Sequence, residues 1–341
     1  IGHTFNKVKK IEKYLIPSAP VDEIGILLDP MENSLDNNKG DDQQKYEQSR
    51  SGTVKLLSQL HYQFSLIDEH SPLTKYALLV LPDYVTITSS LKAKLKKYLA
   101  GGGKILLSYE SGLDKDGKFP LFPQIKNMGQ HPYRPYYVYP CAPLKKRVPD
   151  TENVQYLGGL KIKNAPGWEK LTAVAEPYFN RAWDHFCSHL QTPPEKRTAT
   201  PEMIYNRKNI IYLSSPVFSA YQQFAQAYIK AQMGWTLSRL LPEKLLESNL
   251  PSTAETALRR LPDKSLSLGI LHYIHQRRTP TIDIIEEVIP LYNREIILKI
   301  SKKPETVLDC LTNKKIPFTY VKGRLNFVLK EINGYRVINI S

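Results

Sequence analysis

Four short apolar runs in the first part of the chain constrain its fold more than any other feature. They read EIGILL (23–28), FSLIDE (64–69), YALLVLPD (76–83) and KILLSY (104–109). Nearly continuous apolar runs of this length suit strands covered on both faces. Between them lie helical stretches. One covers about 43–60, and the other carries Leu91, Leu95, Tyr98 and Leu99 as an apolar stripe, with Thr88 or Ser89 as cap and Gly101, Gly102 and Gly103 as stop. Strand, helix, strand, strand, helix, strand predicts an α/β fold. Right-handed crossovers then give a doubly wound, flavodoxin-like parallel sheet. The polar stretch MENSLDNNKGDD (31–42) is expected to be a loop.

From about 113 to 208 the pattern loosens. HPYRPYYVYP (131–140) has no period, and TENVQYLGGLKI and LTAVAEPYF read as short strands. This stretch is expected to be an insertion packed on the edge of the sheet or on a partner. NIIYLSSPVF (209–218) resumes the sheet, and residues 219–241 read as one helix capped by Ser219 and closed by Pro242. A linker is expected over 242–262. Beyond it come short alternating runs, with Ile296, Leu298 and Ile300 on one face and Leu325, Phe327 and Leu329 on another. They predict a small antiparallel β-sandwich with turns at Lys322-Gly323 and Asn333-Gly334.

Several kinds of chemistry drop out. No G-x-G-x-x-G follows the first strand and no P-loop occurs, so a nucleotide site is rejected. The net charge of +14 raises nucleic acid as a partner, but the clusters at 92–97 and 145–147 are short and no nucleic-acid motif accompanies them. No apolar run reaches membrane-spanning length, so no membrane partner is expected. The chain begins at Ile1 with no signal peptide visible, which reads as entry in mid-protein and leaves the compartment open. Cys141, Cys187 and Cys310 fit neither a disulfide framework nor a zinc site and read as buried or idle thiols.

The strongest catalytic candidate is GGGKILLSYESG (101–112), a strand followed by a sharp exit carrying Tyr109, Glu110 and Ser111. A nucleophile elbow needs small residues around its Ser or Cys. Tyr109 and Glu110 stand where the turn is tightest, and no Cys is present, so the segment reads as the shell of an elbow, with Glu110 at a strand end able to line a ligand crevice. HFCSH (185–189) sets two His at i and i+4 of an expected helix, but Phe186 replaces the general base and no third ligand is evident; Trp183 and Phe186 are expected to anchor that segment in a core. His272 and His275 are too differently placed to share a metal. Asp83, Glu110, Glu176 and Asp184 cannot be paired from sequence, and eight βα repeats are absent. Neither metal nor cofactor is expected.

DEIGILLD and YALLVLPDYVTITSSLKAKLKKYLAGGGKILLSYESG resemble the trimerisation domain of family 42 β-galactosidases, a module similar to a class I glutamine amidotransferase domain without its Cys. EPYFNRAWDHFCSHLQTPP, VFSAY and the tail from LHYIHQRRTPTIDIIEEVIPLYNREIIL to INGYRVINI resemble a mostly bacterial group of hypothetical glycosyl hydrolases. The resemblance implies three parts. Residues 1–21, with Phe5, Val8, Ile11 and Leu15 on one helical face, leave a catalytic TIM barrel that this chain lacks; 22–245 form the amidotransferase-like domain; 246–341 form a β-domain. It implies a homo-oligomer that braces its own upstream barrel, a carbohydrate as the whole enzyme's substrate, and no catalytic residue in this chain. Tyr133, Arg134, Tyr136 and Tyr137 are the candidate interface residues. Two other classes stay open: a free-standing hydrolase or amidase using Ser111 or Glu110, and a carbohydrate- or nucleic-acid-binding module, which would need an exposed aromatic platform or a continuous basic stripe.

Overall fold

The computed structural model describes residues 2–28, 40–140, 142–189 and 191–341, so 31–39 of the expected loop and Cys141 lie outside the described residues. The chain divides into two compact units. One comprises Ile24–Leu56 and Leu66–Pro242, the other Ile1–Glu23, Leu57–Ser65 and Glu243–Ser341.

The first unit is built on a nine-stranded mixed sheet. Its strands are β1 (Ile24–Leu27), β2 (Phe64–Ile67), β3 (Leu78–Leu81), β4 (Lys104–Ser108), β5 (Tyr136–Tyr139), β6 (Asn153–Gln155), β7 (Glu169–Pro177), β8 (Pro194–Tyr205) and β9 (Ile210–Leu213). They lie in the order β2-β1-β3-β4-β9-β8-β7-β5-β6. β1, β3, β4 and β9 pair in parallel, and every residue of β1, β3 and β9 is buried. The continuous apolar runs therefore do what their composition dictates: they fill the middle of a sheet covered on both sides.

The helices follow the apolar periodicity. Numbering starts with α1 (Gly2–Ile11), in the other unit. α2 spans Gly40–Gln59, so residues 40–42 of the expected loop are helical. α3 (Ser89–Ala100) is capped by Thr88, whose Oγ1 accepts from Leu91 N at 3.1 Å, and it buries Leu91, Leu95 and Tyr98. Two of the glycines after it are required sterically: a Cβ on Gly103 would lie 2.4 Å from the Tyr98 ring, and Gly102 has φ +87°.

Three expectations need correction here. The 113–208 stretch is not only packed on the sheet; it supplies β5 to β8, which continue the sheet antiparallel beyond β9. β8 escaped notice because its first half, PEKRTA, is polar and exposed. The single helix expected over 219–241 is two, α4 (Val217–Phe224) and α5 (Ala227–Leu240), separated at Ala225, which takes φ +47°. Ser219 does not cap α4; Pro216 occupies the N-cap, and Ser219 is the third helical residue.

The second unit holds two antiparallel sheets. A six-stranded sheet has the order Ala19–Pro20, Ala254–Arg260, Leu266–His272, Tyr335–Ile340, Val307–Asp309, Lys314–Lys315. A four-stranded sheet has the order Leu246–Ser248, Leu291–Lys299, Arg324–Ile332, Phe318–Val321. Alternating residues of both, among them Leu258, Leu268, Ile296, Leu298, Leu325, Phe327 and Ile338, share one apolar core. The expected linker over 242–262 thus contains two strands. Lys322 and Gly323, both at positive φ, form the tight turn between Phe318–Val321 and Arg324–Ile332. On α1, Ile11 is buried while Phe5 and Val8 are exposed. No helix among the described residues is long and apolar enough to cross a membrane.

Candidate functional site

The exit from β4 has the sharp geometry its sequence suggested, with Tyr109 at the apex. Tyr109 has φ +52°, a left-handed backbone that costs a bulky residue about 1–2 kcal/mol. The surroundings over-determine it. Tyr109 N donates to Leu213 O at 2.7 Å, and Tyr109 O accepts from the Tyr212 hydroxyl at 2.5 Å. Ser111 N closes the turn onto Ser108 O at 3.0 Å, and Gly112, at φ +93°, donates to Val85 O.

None of the three candidates is arranged as a nucleophile. The Tyr109 hydroxyl bonds Gln130 Oε1 at 3.1 Å, and burial, helped by the nearby Glu110 charge, pushes it up to about 12. Glu110 Oε1 accepts from Gln130 Nε2 at 3.2 Å. Ser111 is fully buried and its Oγ has no hydrogen-bond partner among the described residues, so none of them serves it as a base and it lacks access to substrate.

Among the described residues, the space at the carboxyl ends of β1 and β3 is small. The Tyr109 ring meets Tyr84 edge-on at 5.6 Å, and Tyr84 meets Tyr46 edge-on at 5.9 Å. Tyr46 and Tyr84, with Leu27 and Pro82 at the carboxyl ends of β1 and β3, wall a space of about 10 Å³. That is room for about one water. Glu110 is not among the residues lining it.

Two carboxyls are deeply buried: Asp83, which sequence could not pair, and Glu202, which it did not single out. Asp83 Oδ2 accepts from Ser219 N at 2.8 Å and Ser219 Oγ at 2.7 Å, and Oδ1 accepts from Ser108 Oγ at 2.6 Å. Glu202 accepts from Thr172 Oγ1 at 2.6 Å, Ser215 Oγ at 2.7 Å and Gln232 Nε2 at 3.2 Å. Burial raises both carboxyls against the pull of these donors. Each ties separate strands and helices together and neither faces solvent, so their role is structural. Their sequence signal was faint: an Asp after Pro82 at a strand end, and one acid inside an apolar run. His131 is buried as well; burial, with Lys161 adding repulsion, pushes it down to about 4, while Glu176 Oε1 sits 3.8 Å away, beyond hydrogen-bond reach.

The remaining candidates are dispersed. Residues 185–189 are not helical, so His185 and His189 do not share a helical face. His185 instead stacks on Phe179 at 3.8 Å. Trp183 and Phe186 do not anchor a core; they are 90% and 65% exposed. His272 is buried, with Nδ1 3.1 Å from Ile289 O and Nε2 3.0 Å from Thr253 Oγ1. Among the described residues no group of three His, Cys, Asp or Glu could hold a metal. Cys187 and Cys310 are free and half-buried. Tyr136 and Tyr137 lie inside the sheet as residues of β5, which removes them from the expected interface; Tyr133 is half-buried and Arg134 exposed.

Residues 37–121 match the family model of the beta-galactosidase trimerisation domain. No curated protein matches the chain in sequence. Among solved structures, α-L-fucosidase isoenzyme 2 from Paenibacillus thiaminolyticus superposes with a TM-score of 0.88 at 24% identity, covering 100% of this chain and 51% of that one. A catalytic mutant of Gan42B, a GH42 β-galactosidase from G. stearothermophilus, gives 0.61 at 15% identity over 99% of this chain and 42% of that one. A β-galactosidase from Bacillus circulans sp. alkalophilus gives 0.59 at 12% identity over 98% and 44%. The chain spans about half the length, or less, of these proteins. It therefore carries a segment similar to a β-galactosidase trimerisation domain, within a fold shared with part of family 42 β-galactosidases and of an α-L-fucosidase.

Proposed function

We propose that this chain is the non-catalytic C-terminal region of a glycoside hydrolase, joining subunits and bracing a TIM-barrel catalytic domain that it does not contain. The observation that carries this reading is the match of 37–121 to a trimerisation domain. The matched residues include the elbow, which has Tyr109 at its apex and only a small space beside it among the described residues. The order β2-β1-β3-β4-β9 supports a flavodoxin-like, amidotransferase-like layout for 22–245. The two sheets around one core support a β-sandwich for 246–341. In this reading α1 leaves the barrel, Tyr133 and Arg134 face a neighbouring subunit, and each subunit contact buries over about 1,000 Å². The substrate of the whole enzyme is a carbohydrate, and nucleic acid and membrane play no part.

A specific observation favours one refinement. The superposition on the α-L-fucosidase, at 0.88, is well above those on the β-galactosidases. It supports a fold more like that part of the α-L-fucosidase, so an α-L-fucoside is tested beside a β-galactoside.

The test is hydrolysis of a panel of aryl glycosides, α-L-fucoside and β-galactoside included. The chain alone is expected to turn over none of them. Turnover that Glu110→Gln abolishes would overturn the reading in favour of a free-standing hydrolase.

A further inference from the structure

We propose that the arm 277–289 of the second unit docks on a second copy of this chain. Docking there presupposes the subunit-joining reading above and adds this arm to the joining surfaces. Thirteen consecutive residues, Arg277 to Ile289, are exposed. Five of them are large and apolar: Ile282, Ile284, Ile285, Val288 and Ile289 are between 38% and 54% exposed. Single apolar residues scattered over a surface are ordinary, whereas five on one short arm mark a contact site.

The arm is braced from within. Gln276–Arg277 pairs antiparallel with Asp283–Ile284. The Arg277 guanidinium forks onto the Asp283 carboxylate, with Nη2 3.1 Å from Oδ2, and Nη1 donates to Pro280 O at 2.7 Å. Arg278 N donates to Ile282 O at 3.0 Å, and its side chain pairs with Glu286. Ile282 N donates to Thr279 Oγ1 at 3.0 Å. At the exit of the arm, Ile289 O lies 3.1 Å from Nδ1 of the buried His272. The polar groups thus satisfy one another while the apolar ones stay in water. A solvated loop does the reverse, and an arm already ordered loses little entropy on docking. Between Ile284 and Leu291 the chain joins no sheet among the described residues, so its backbone there is open to strand addition as well.

Area and charge select the occupant. Thirteen exposed residues present on the order of 800 Å², one partner's share of a standard interface. The arm carries two arginines against Asp283, Glu286 and Glu287, one net negative charge on a chain of net charge +14. Two arms meeting each other repel weakly, whereas an arm meeting the basic surface of the next copy is attracted. Contacts between unlike faces can close into a ring, which is the arrangement a trimer needs.

The test follows the mass of the full chain by sedimentation equilibrium from about 0.1 to 100 μM, a range that brackets moderate self-association. Ile285→Asp and Val288→Asp each put a charge on the arm, and both side chains are exposed, so the fold of a single copy is little changed. Each is expected to weaken self-association at least about tenfold. Val321→Asp, at an exposed apolar residue on an edge strand of the same unit, is expected to leave it unchanged. Amide exchange of 285–289 should be fast in dilute single copies and slow as the mass rises. An oligomer whose mass ignores both arm variants would overturn the docking of the arm and leave the subunit-joining reading intact; the arm would then fit another occupant, such as the upstream barrel. Equal weakening by Val321→Asp would overturn it too, as would arm amides already protected in single copies or still unprotected in the oligomer. A native chain of single-copy mass throughout would sink both readings.

Discussion

The carboxylate of Asp83, at the end of β3, receives both the backbone N–H and the hydroxyl of Ser219 in the first turn of α4, at 2.8 and 2.7 Å. Ser219 looks like a cap in sequence, but it is the residue being capped, by an acid 136 positions away. An anion at a helix N-terminus satisfies orphan amides and complements the helix dipole. Asp83→Ala leaves Ser108, Ser219 and the first amides of α4 without an acceptor in a buried site. It is expected to cost about 3 kcal/mol in urea unfolding, and Asp83→Asn, which keeps one acceptor oxygen, about half as much. An alanine variant within about 0.5 kcal/mol of the native chain would contradict the capping role.

Glu202 sets a pH dependence of definite sign. Burial raises its folded-state pKa above the usual 4.5. At low pH both folded and unfolded chains hold the proton. As pH rises past about 4.5 the unfolded chain releases it first, so this group's contribution to stability falls until the folded-state pKa is passed. Glu202→Gln does not titrate. Its stability relative to the native chain should therefore climb from pH 4 to pH 8 in paired unfolding curves, and a flat difference would contradict the assignment.

His131 works in the opposite sense. Its folded-state value of about 4 lies below the ordinary 6.5. Between those values the unfolded chain binds more protons, so stability is lost as pH falls from about 6.5 to 4. The full effect is on the order of 3 kcal/mol. His131→Gln should flatten that part of the stability profile, and a profile as steep as the native one would count against a buried neutral imidazole.

Gly52 marks a close helix approach. A Cβ there would lie 2.0 Å from Phe218 O and 2.8 Å from Phe218 C, backbone atoms that cannot swing aside. Gly52→Ala is expected to lose about 2–3 kcal/mol by chemical denaturation. At Gly269, where the nearest atom to an added Cβ is Ala257 O at 3.8 Å, the same change should stay within about 0.5 kcal/mol of neutral. Equal effects at the two sites would refute the steric account.

The parts of this fold legible in sequence are those where one physical signal dominates. β1, β3, β4 and β9 were readable because burial on both faces demands unbroken apolar runs. The alternation of Leu325, Phe327 and Leu329 was readable because one face of that strand meets a core. β8 was not, since half of it is exposed and mixes Pro, Lys, Arg and Thr. The break between α4 and α5 was hidden because Ala225 takes a left-handed backbone with no glycine to announce it. Residues 185–189 kept the spacing of a helix that does not form, between prolines and a tight turn.

At the candidate elbow, sequence narrowed the apex to Tyr109 and Glu110 but did not choose between them. Bulk at Tyr109 argued against a nucleophile; only the backbone reveals that Tyr109 itself holds the strained position. Trp183 misled more completely. Its bulk argued for a core, and its place at the tip of a turn closed by Ala182 and His185 depends on bonds that sequence spacing does not encode.

The central claim is that this chain joins subunits, and its mass in solution tests that most directly. Light scattering on the purified chain should give a mass well above the 39.1 kDa of one copy, with three copies the number that a trimerisation domain implies. A single-copy mass at every concentration up to about 100 μM, where even weak specific contacts of about 10 μM affinity would be populated, would contradict the account.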